Sequence, residues 1–202
     1  MNWDVENRYR TQGYTVICGT DEAGRGCLAG DVFAAAVILP YNLEIPGLND
    51  SKKLSPSRRE ELYDIITERA MAWAVASASV EEIDNINILN ASLLAMQRAV
   101  SSLKIPADFV LVDGNISRGF NVDSVALVKG DSLSPSIAAA SVLAKMSRDR
   151  HCMELHERYP QYNFAKHKGY ATREHVEVLR KLGACQVHRR TFLRKISSET
   201  VS

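Results

Sequence analysis

Two rhythms of apolar and polar positions alternate along the chain. Tyr14 to Thr20 (YTVICGT) is dense in apolar and β-branched residues and predicts a buried strand. Val32 to Leu39 (VFAAAVIL) predicts a second strand, ended by Pro40, and the turn between the two holds Gly24, Gly26 and Gly30. Pro56 falls where a first helical position belongs, and Ser57 with Glu60 matches a capping box, so a helix is predicted through ELYDIITERA. Trp73 to Val80 predicts a third strand. Apolar residues at 93, 94, 96 and 100 give Asn90 to Leu103 the period of an amphipathic helix. Asp108 to Asp113 and Val122 to Val128 predict two more strands. Ser134-Pro135 opens a long helix that stops near Pro160, with an alanine-rich buried first half and a solvated second half. Residues 161–171 form a polar loop, and Thr172 to Leu182 a last helix stopped by Gly183.

This order of elements predicts a mixed α/β sheet flanked by helices, as one compact domain over 1–202 with a C-terminal helical region. No apolar run reaches the roughly 20 residues of a membrane-spanning helix, and the start, MNWDVENRYR, lacks a secretory pattern. A cytoplasmic protein is expected. Cys18, Cys27, Cys152 and Cys185 are scattered, with no CxxC pair, and read as reduced thiols outside any zinc site.

Net charge is +1, but it is unevenly spread. Residues 1–144 carry 12 Lys+Arg against 18 Asp+Glu, whereas 145–195 carry 13 against 5 and hold all five histidines. Charge alone leaves two readings of the basic third: a polyanion-binding surface, or a solvated helical surface that balances the front half.

The chemistry gathers at strand ends. Asp21-Glu22 follows the first predicted strand, Asp113-Gly114 a later one, and Lys129-Gly130-Asp131 the next. Loops at strand ends converge in α/β sheets. Clustered carboxylates repel one another unless cations neutralise them, and their hard oxygens suit Mg²⁺ or Mn²⁺. Two such ions can activate a water and stabilise a leaving oxygen in phosphoryl transfer. Adjacent residues on a regular strand face opposite ways, so Asp21 and Glu22 can share a metal only if the strand bends or one uses a backbone oxygen. GTDEAGRG, at 19–26, misses the Lys and Ser/Thr of a phosphate-binding loop, and the chain lacks the GxSxG of a serine hydrolase. Gly24-Arg25-Gly26 reads as a turn, either plain or one whose N–H groups approach a ligand.

DEAGRG at 21–26, AAAVILP at 34–40, NDSKKLS at 49–55, DG at 113–114, KGD at 129–131, SIAAASVLAK at 136–145, HKGYAT at 167–172 and HRRTF at 188–192 occur in this order. In series, from about residue 15 to 193, they resemble ribonuclease HII, the type 2 ribonuclease H family. The resemblance implies a ribonuclease H-like fold, cleavage of RNA in RNA–DNA hybrids, and incision 5′ of single ribonucleotides in duplex DNA, leaving 3′-hydroxyl and 5′-phosphate ends. It implies that Asp21, Glu22, Asp113 and Asp131 bind Mn²⁺ or Mg²⁺, that Gly24, Arg25 and Gly26 sense the ribose 2′-hydroxyl, and that Tyr170 packs on the adjoining sugar. Without the resemblance Tyr170 reads as a loop tyrosine packed on the core. Lys145, on the long helix, is a phosphate-contact candidate or simply a solvated lysine.

The GRG turn and HKGY loop argue against a related DNA resolvase, and the full set of acids against a non-catalytic binding module. The chain departs from the family pattern at Cys27 and Asp31, where proline is usual, at Asn163 and Ala171, where glycine is common, and at Ala184, where proline is usual. The tail LRKISSETVS shows no docking motif, and a monomer is expected.

Overall fold

The computed structural model describes residues 1–49, 51 and 54–198, the last four as backbone only. Asp50, Lys52 and Lys53 of the NDSKKLS motif and the final four residues of the tail lie outside the described residues.

Five strands form one sheet in the order β3-β2-β1-β4-β5. β1 (Ile17–Ala23), β2 (Val32–Ile38) and β3 (Ala72–Ala78) form an antiparallel meander, and β4 (Phe109–Asp113) and β5 (Asp123–Leu127) run parallel to β1. The predicted mixed α/β sheet is therefore present. Its two faces are covered by different helices. α3 (Val80–Ser101) packs Ile83, Ala91, Ala95 and Met96 on one face with Cys18, Ala34, Ala36 and Val110. α4 (Pro135–Arg158) lays its alanine-rich half on the other face against Ala35 and Val37, and α2 (Pro56–Arg69) adds Leu62 and Ile66 there. Side chains that alternate between two buried faces explain why these strands read as near-continuous apolar runs.

α4 lies unusually close to β1. A Cβ added at Gly19 would meet the backbone carbon of Ser136 at 2.2 Å and the Ile137 nitrogen at 2.3 Å. The start of α4 is held by α1 (Asp4–Arg10), a helix the hydrophobic pattern did not predict. Its Glu6 is fully buried, and Oε1 accepts from Ser134 Oγ at 2.6 Å and from the Ser136 N–H at 3.2 Å. A carboxylate against a helix N-terminus is electrostatically favourable.

Other boundaries also differ from the sequence reading. α3 starts at Val80, not Asn90, on a capping box of Ser79 and Glu82, and Asn87 breaks it with φ 66°. Asp31 Oδ1 accepts from the Val80 N–H at 3.1 Å, so this residue holds the start of α3 and adds no charge to the acid cluster. α5 (Phe164–His167) lies inside the predicted polar loop, α6 (Arg173–Leu182) matches prediction, and α7 (Arg190–Ser198) replaces much of the predicted tail. Among the described residues no helix is long and apolar enough to cross a membrane.

The Gly19 contact is backbone against backbone and cannot relax through a rotamer. Gly19→Ala should destabilise the protein by about 3 kcal/mol or more, at the upper end of overpacking costs. Urea unfolding of the two proteins checks this; a loss below about 0.5 kcal/mol, the scale of an ordinary surface change, would show that α4 shifts freely.

Candidate active site

Strand register decides which acids can meet. Asp21 pairs with Ala35 and Glu22 with Ala34 in an unbroken ladder, so β1 continues through both acids, where the sequence reading ended it at Thr20. Directly paired residues share a face. Asp21 therefore lies on the α4 face and Glu22 on the α3 face. Gly19 pairs with Leu111 in parallel, and Leu111 packs on Ile137 of α4, which puts Asp113 on the α4 face beside Asp21. Asp131 enters from a single helical turn at Gly130–Ser132, and its N–H donates to Asp113 Oδ1 at 3.4 Å. Gly130 packs closely there: a Cβ would lie 2.6 Å from Ile137 Cδ1, so the Ile137 side chain would have to shift.

Asp21, Asp113 and Asp131 are thus gathered at one end of one face. Asp21 and Asp131 are each only 7% exposed. Asp21 Oδ1 accepts from the Glu22 N–H at 2.7 Å, and Glu22 Oε1 pairs with Arg25 Nη1 at 3.1 Å. As placed, no three His, Cys, Asp or Glu side chains among the described residues close around a single point. The donor set itself is oxygen only, and hard oxygen donors suit a divalent cation such as Mg²⁺ or Mn²⁺.

The strand bends immediately after the acids, at Gly24 with φ +103°. The turn closes through the Cys27 N–H, which donates to Gly24 O at 3.4 Å. Proline has no such N–H, so Cys27 adds a donor that the usual residue lacks. The turn is then stitched to the far end of the chain. Leu28 N–H donates to Gly169 O, and Arg189 N–H to Leu28 O, both at 2.8 Å. The Arg189 guanidinium, fully buried, gives Nε and Nη2 to Gly30 O and Nη1 to Arg25 O. Tyr170 stands beside the turn with 43% of its surface exposed, and a cleft of about 940 Å³ opens next to it, lined by Leu28, Asn87, Ala171, Val176, Arg180 and Phe192.

Behind Tyr170 runs a chain of buried imidazoles. The Cys185 N–H donates to His188 Nδ1 at 3.0 Å, which leaves the proton of a neutral His188 on Nε2, 3.0 Å from His175 Nε2. His175 then carries its own proton on Nδ1 and donates to Tyr170 O at 2.9 Å. His167 accepts from the Gly169 N–H at 3.1 Å and faces Tyr162 O at 2.6 Å. Burial holds His175 and His188 down to about 4, and lowers His167 as well.

The structure brings Asp21, Asp113 and Asp131 together, puts Glu22 behind them, and sets Gly24, Arg25, Gly26 and Tyr170 in one neighbourhood. Lys145, the phosphate-contact candidate, is held in an ion pair with Asp149 at 2.6 Å on α4. Part of the basic third is already engaged within the protein: Arg148 and Arg189 are buried, and Arg150, Lys166 and Arg173 pair with carboxylates at the surface. Arg148, Arg189 and the histidine chain were missed as site residues. The HRRTF motif signalled Arg189 and His188, but nothing local shows that they meet a turn more than 150 residues earlier. Asn163 has φ 58°, which explains why glycine is common there.

The chain matches the ribonuclease HII family model over residues 18–195. A ribonuclease HII from Caldicellulosiruptor bescii is 50% identical over 196 residues, which are 97% of this chain and 95% of that protein. The ribonuclease H2 from Pyrococcus horikoshii OT3 superposes with a TM-score of 0.74 at 25% identity, over 92% of this chain and 98% of that one. Bst-RNase HIII, solved in complex with Mn²⁺, shares the fold at 15% identity, with a TM-score of 0.65 over 95% of this chain and 72% of that one. The architecture is the ribonuclease H fold, and the class is that of divalent-metal-dependent endoribonucleases. The chain belongs to the ribonuclease HII family and hydrolyses the RNA strand of RNA–DNA hybrids.

The histidine chain carries a pH signature. A histidine depressed to about 4 is neutral in the folded state, whereas the unfolded state protonates near 6.5. Between those values the unfolded state binds more protons, so stability is full above about 6.5 and is lost as pH falls toward 4. Each group contributes on the order of 3 kcal/mol across that window. Urea midpoints measured from pH 7.5 to 4.5 should fall steadily below 6.5. A flat profile would show that the imidazoles are not held neutral.

Proposed function

We propose that Asp21, Asp113 and Asp131 hold Mg²⁺ or Mn²⁺ through their carboxylates, with Glu22 completing the set. The observation that carries this reading is the gathering of three acids on the α4 face at the strand ends. Glu22 has its carboxylate on the other face and drawn to Arg25, so its share is a backbone oxygen. The cations, when bound, supply Lewis-acid stabilisation of charge on the scissile phosphate. The protein's own groups do the selecting. Only the 2′-hydroxyl separates RNA from DNA at one position. The Gly24-Arg25-Gly26 turn offers backbone groups to it without a side chain in the way at either glycine. Tyr170 offers a flat face to the neighbouring sugar, and Lys145 a charge to a phosphate in exchange for Asp149.

A site built to read one 2′-hydroxyl needs one ribonucleotide, not a run of them. The enzyme therefore incises 5′ of a single ribonucleotide in duplex DNA as well as cutting long hybrids, leaving 3′-hydroxyl and 5′-phosphate ends. One chain supplies every residue of the site, and it acts as a monomer.

The direct test is a labelled duplex carrying one ribonucleotide, incubated with Mg²⁺, Mn²⁺ or EDTA beside an all-DNA control. Metal-dependent incision 5′ of the ribonucleotide, with the control intact, is expected. Equal cutting of the all-DNA duplex would place the protein with DNA resolvases instead. Asp113→Asn should reduce cleavage to background while hybrid binding persists, since it removes a charge and keeps the shape. Full activity in that variant would overturn the assignment of the acids.

A further inference from the structure

Two arginines are buried at the GRG turn, and they are built differently. Arg189 has every guanidinium nitrogen bonded to a turn carbonyl and is a fully satisfied brace. Arg148, on α4, is 1% exposed. Its Nη2 reaches Ala29 O at 3.3 Å, but its Nε and Nη1 are buried and meet no hydrogen-bond partner among the described residues. Buried donors without acceptors cost roughly 1–3 kcal/mol each, more when charged. A residue kept for stability alone would not be placed this way.

Its position relates the two recognition loops. A Cβ at Gly24 would lie 2.1 Å from Arg148 Nε, and a Cβ at Gly169 would lie 3.3 Å from Arg148 Nη2. The guanidinium carbon lies 5.7 Å from the centre of the Tyr170 ring. The Nε end of the group lies against the turn's glycine and its Nη2 end against the HKGY glycine, with the Tyr170 ring close by.

We propose that Arg148 is a positioning residue for substrate selection, its guanidinium setting the distance between the Gly24 turn and Tyr170. This rests on the reading of those two elements as the ribose-recognition site. A planar cation suits the task because it stacks on an aromatic ring and holds two loops apart at a fixed thickness. Since Arg148 does not reach the surface, it acts through its neighbours and touches no substrate atom.

The experiment compares wild type, Arg148→Met and Arg148→Lys on the single-ribonucleotide duplex, with melting temperature measured for each. Replacing a buried, poorly paired charge by an apolar side chain is often neutral or stabilising, so Arg148→Met should melt at or above the wild-type temperature. Its KM should rise about tenfold or more with kcat changed less than about twofold. Arg148→Lys keeps the charge without the plane and should fall between the two. The salt dependence of binding should be unchanged, because a buried cation releases no counterions.

Wild-type KM in either variant would overturn the proposal, as would a parallel collapse of melting temperature and activity in Arg148→Met. A salt slope reduced by about 0.9 would mean direct phosphate contact and would overturn it too. If wild type itself fails to prefer the ribonucleotide duplex over DNA, the fault lies with the underlying reading and not with Arg148.

Discussion

The depth at which α4 rests on β1 sets the geometry of everything that follows. At Gly19 the helix backbone touches the strand backbone, and no other residue type fits there. The Ala138–Ala140 run extends the same close approach along the helix. Because α4 is long and rigid, that depth is transmitted to both of its ends. Its first turn, with Ile137, forms the wall behind Asp113 and Gly130. Its third quarter brings Arg148 beneath the GRG turn and against the HKGY loop. One packing contact therefore registers the acids against the GRG turn and the HKGY loop.

Polar groups buried in this fold fall into two kinds. Glu6 Oε1, Arg189 and the imidazoles of His167, His175 and His188 have their bonds made; Glu6 and Arg189 lock backbone segments far apart in sequence, and the histidines tie together the C-terminal loops. Arg148 has most of its donors unmade. A satisfied network gives rigidity, while an unsatisfied charge lowers stability for the sake of shape at a working surface. Arg148 and Arg189, one of each kind, meet at the GRG turn, which is held in place without being built from regular structure.

Much of this was readable from residue order. The strands fall within a few residues of the apolar runs that predict them, and Pro56, Ser134-Pro135 and Thr172 mark helix starts correctly. Three failures have physical causes. α3 lost its first turns because Asn87 takes a left-handed conformation and breaks the apolar period that a helix needs. α7 read as tail because its cap is not local: Asp84 accepts from the Arg190 and Thr191 N–H groups across more than a hundred residues. β1 was ended too early because Asp21 and Glu22 are poor strand formers, yet their pairing with Ala35 and Ala34 keeps them in the ladder. The acids were legible as a set because each follows an apolar run. That Asp21 and Glu22 face opposite ways on a regular strand was legible too; that the strand stays regular through both depends on register.

The bracing of the GRG turn has a consequence for how the molecule comes into being. Arg189 reaches Arg25 across 164 positions of sequence, and Leu28 depends on Gly169 and Arg189 for its backbone partners. Closing loops of that length is entropically slow relative to forming a meander or a helix. During synthesis the sheet and its acids have their partners long before the C-terminal helices leave the ribosome. The GRG turn gains its braces last, so a growing chain holds the acids in the sheet before it holds the groups that fix the turn beside them. Docking of the C-terminal helices, and not pairing of the strands, is the moment at which the turn takes its final shape.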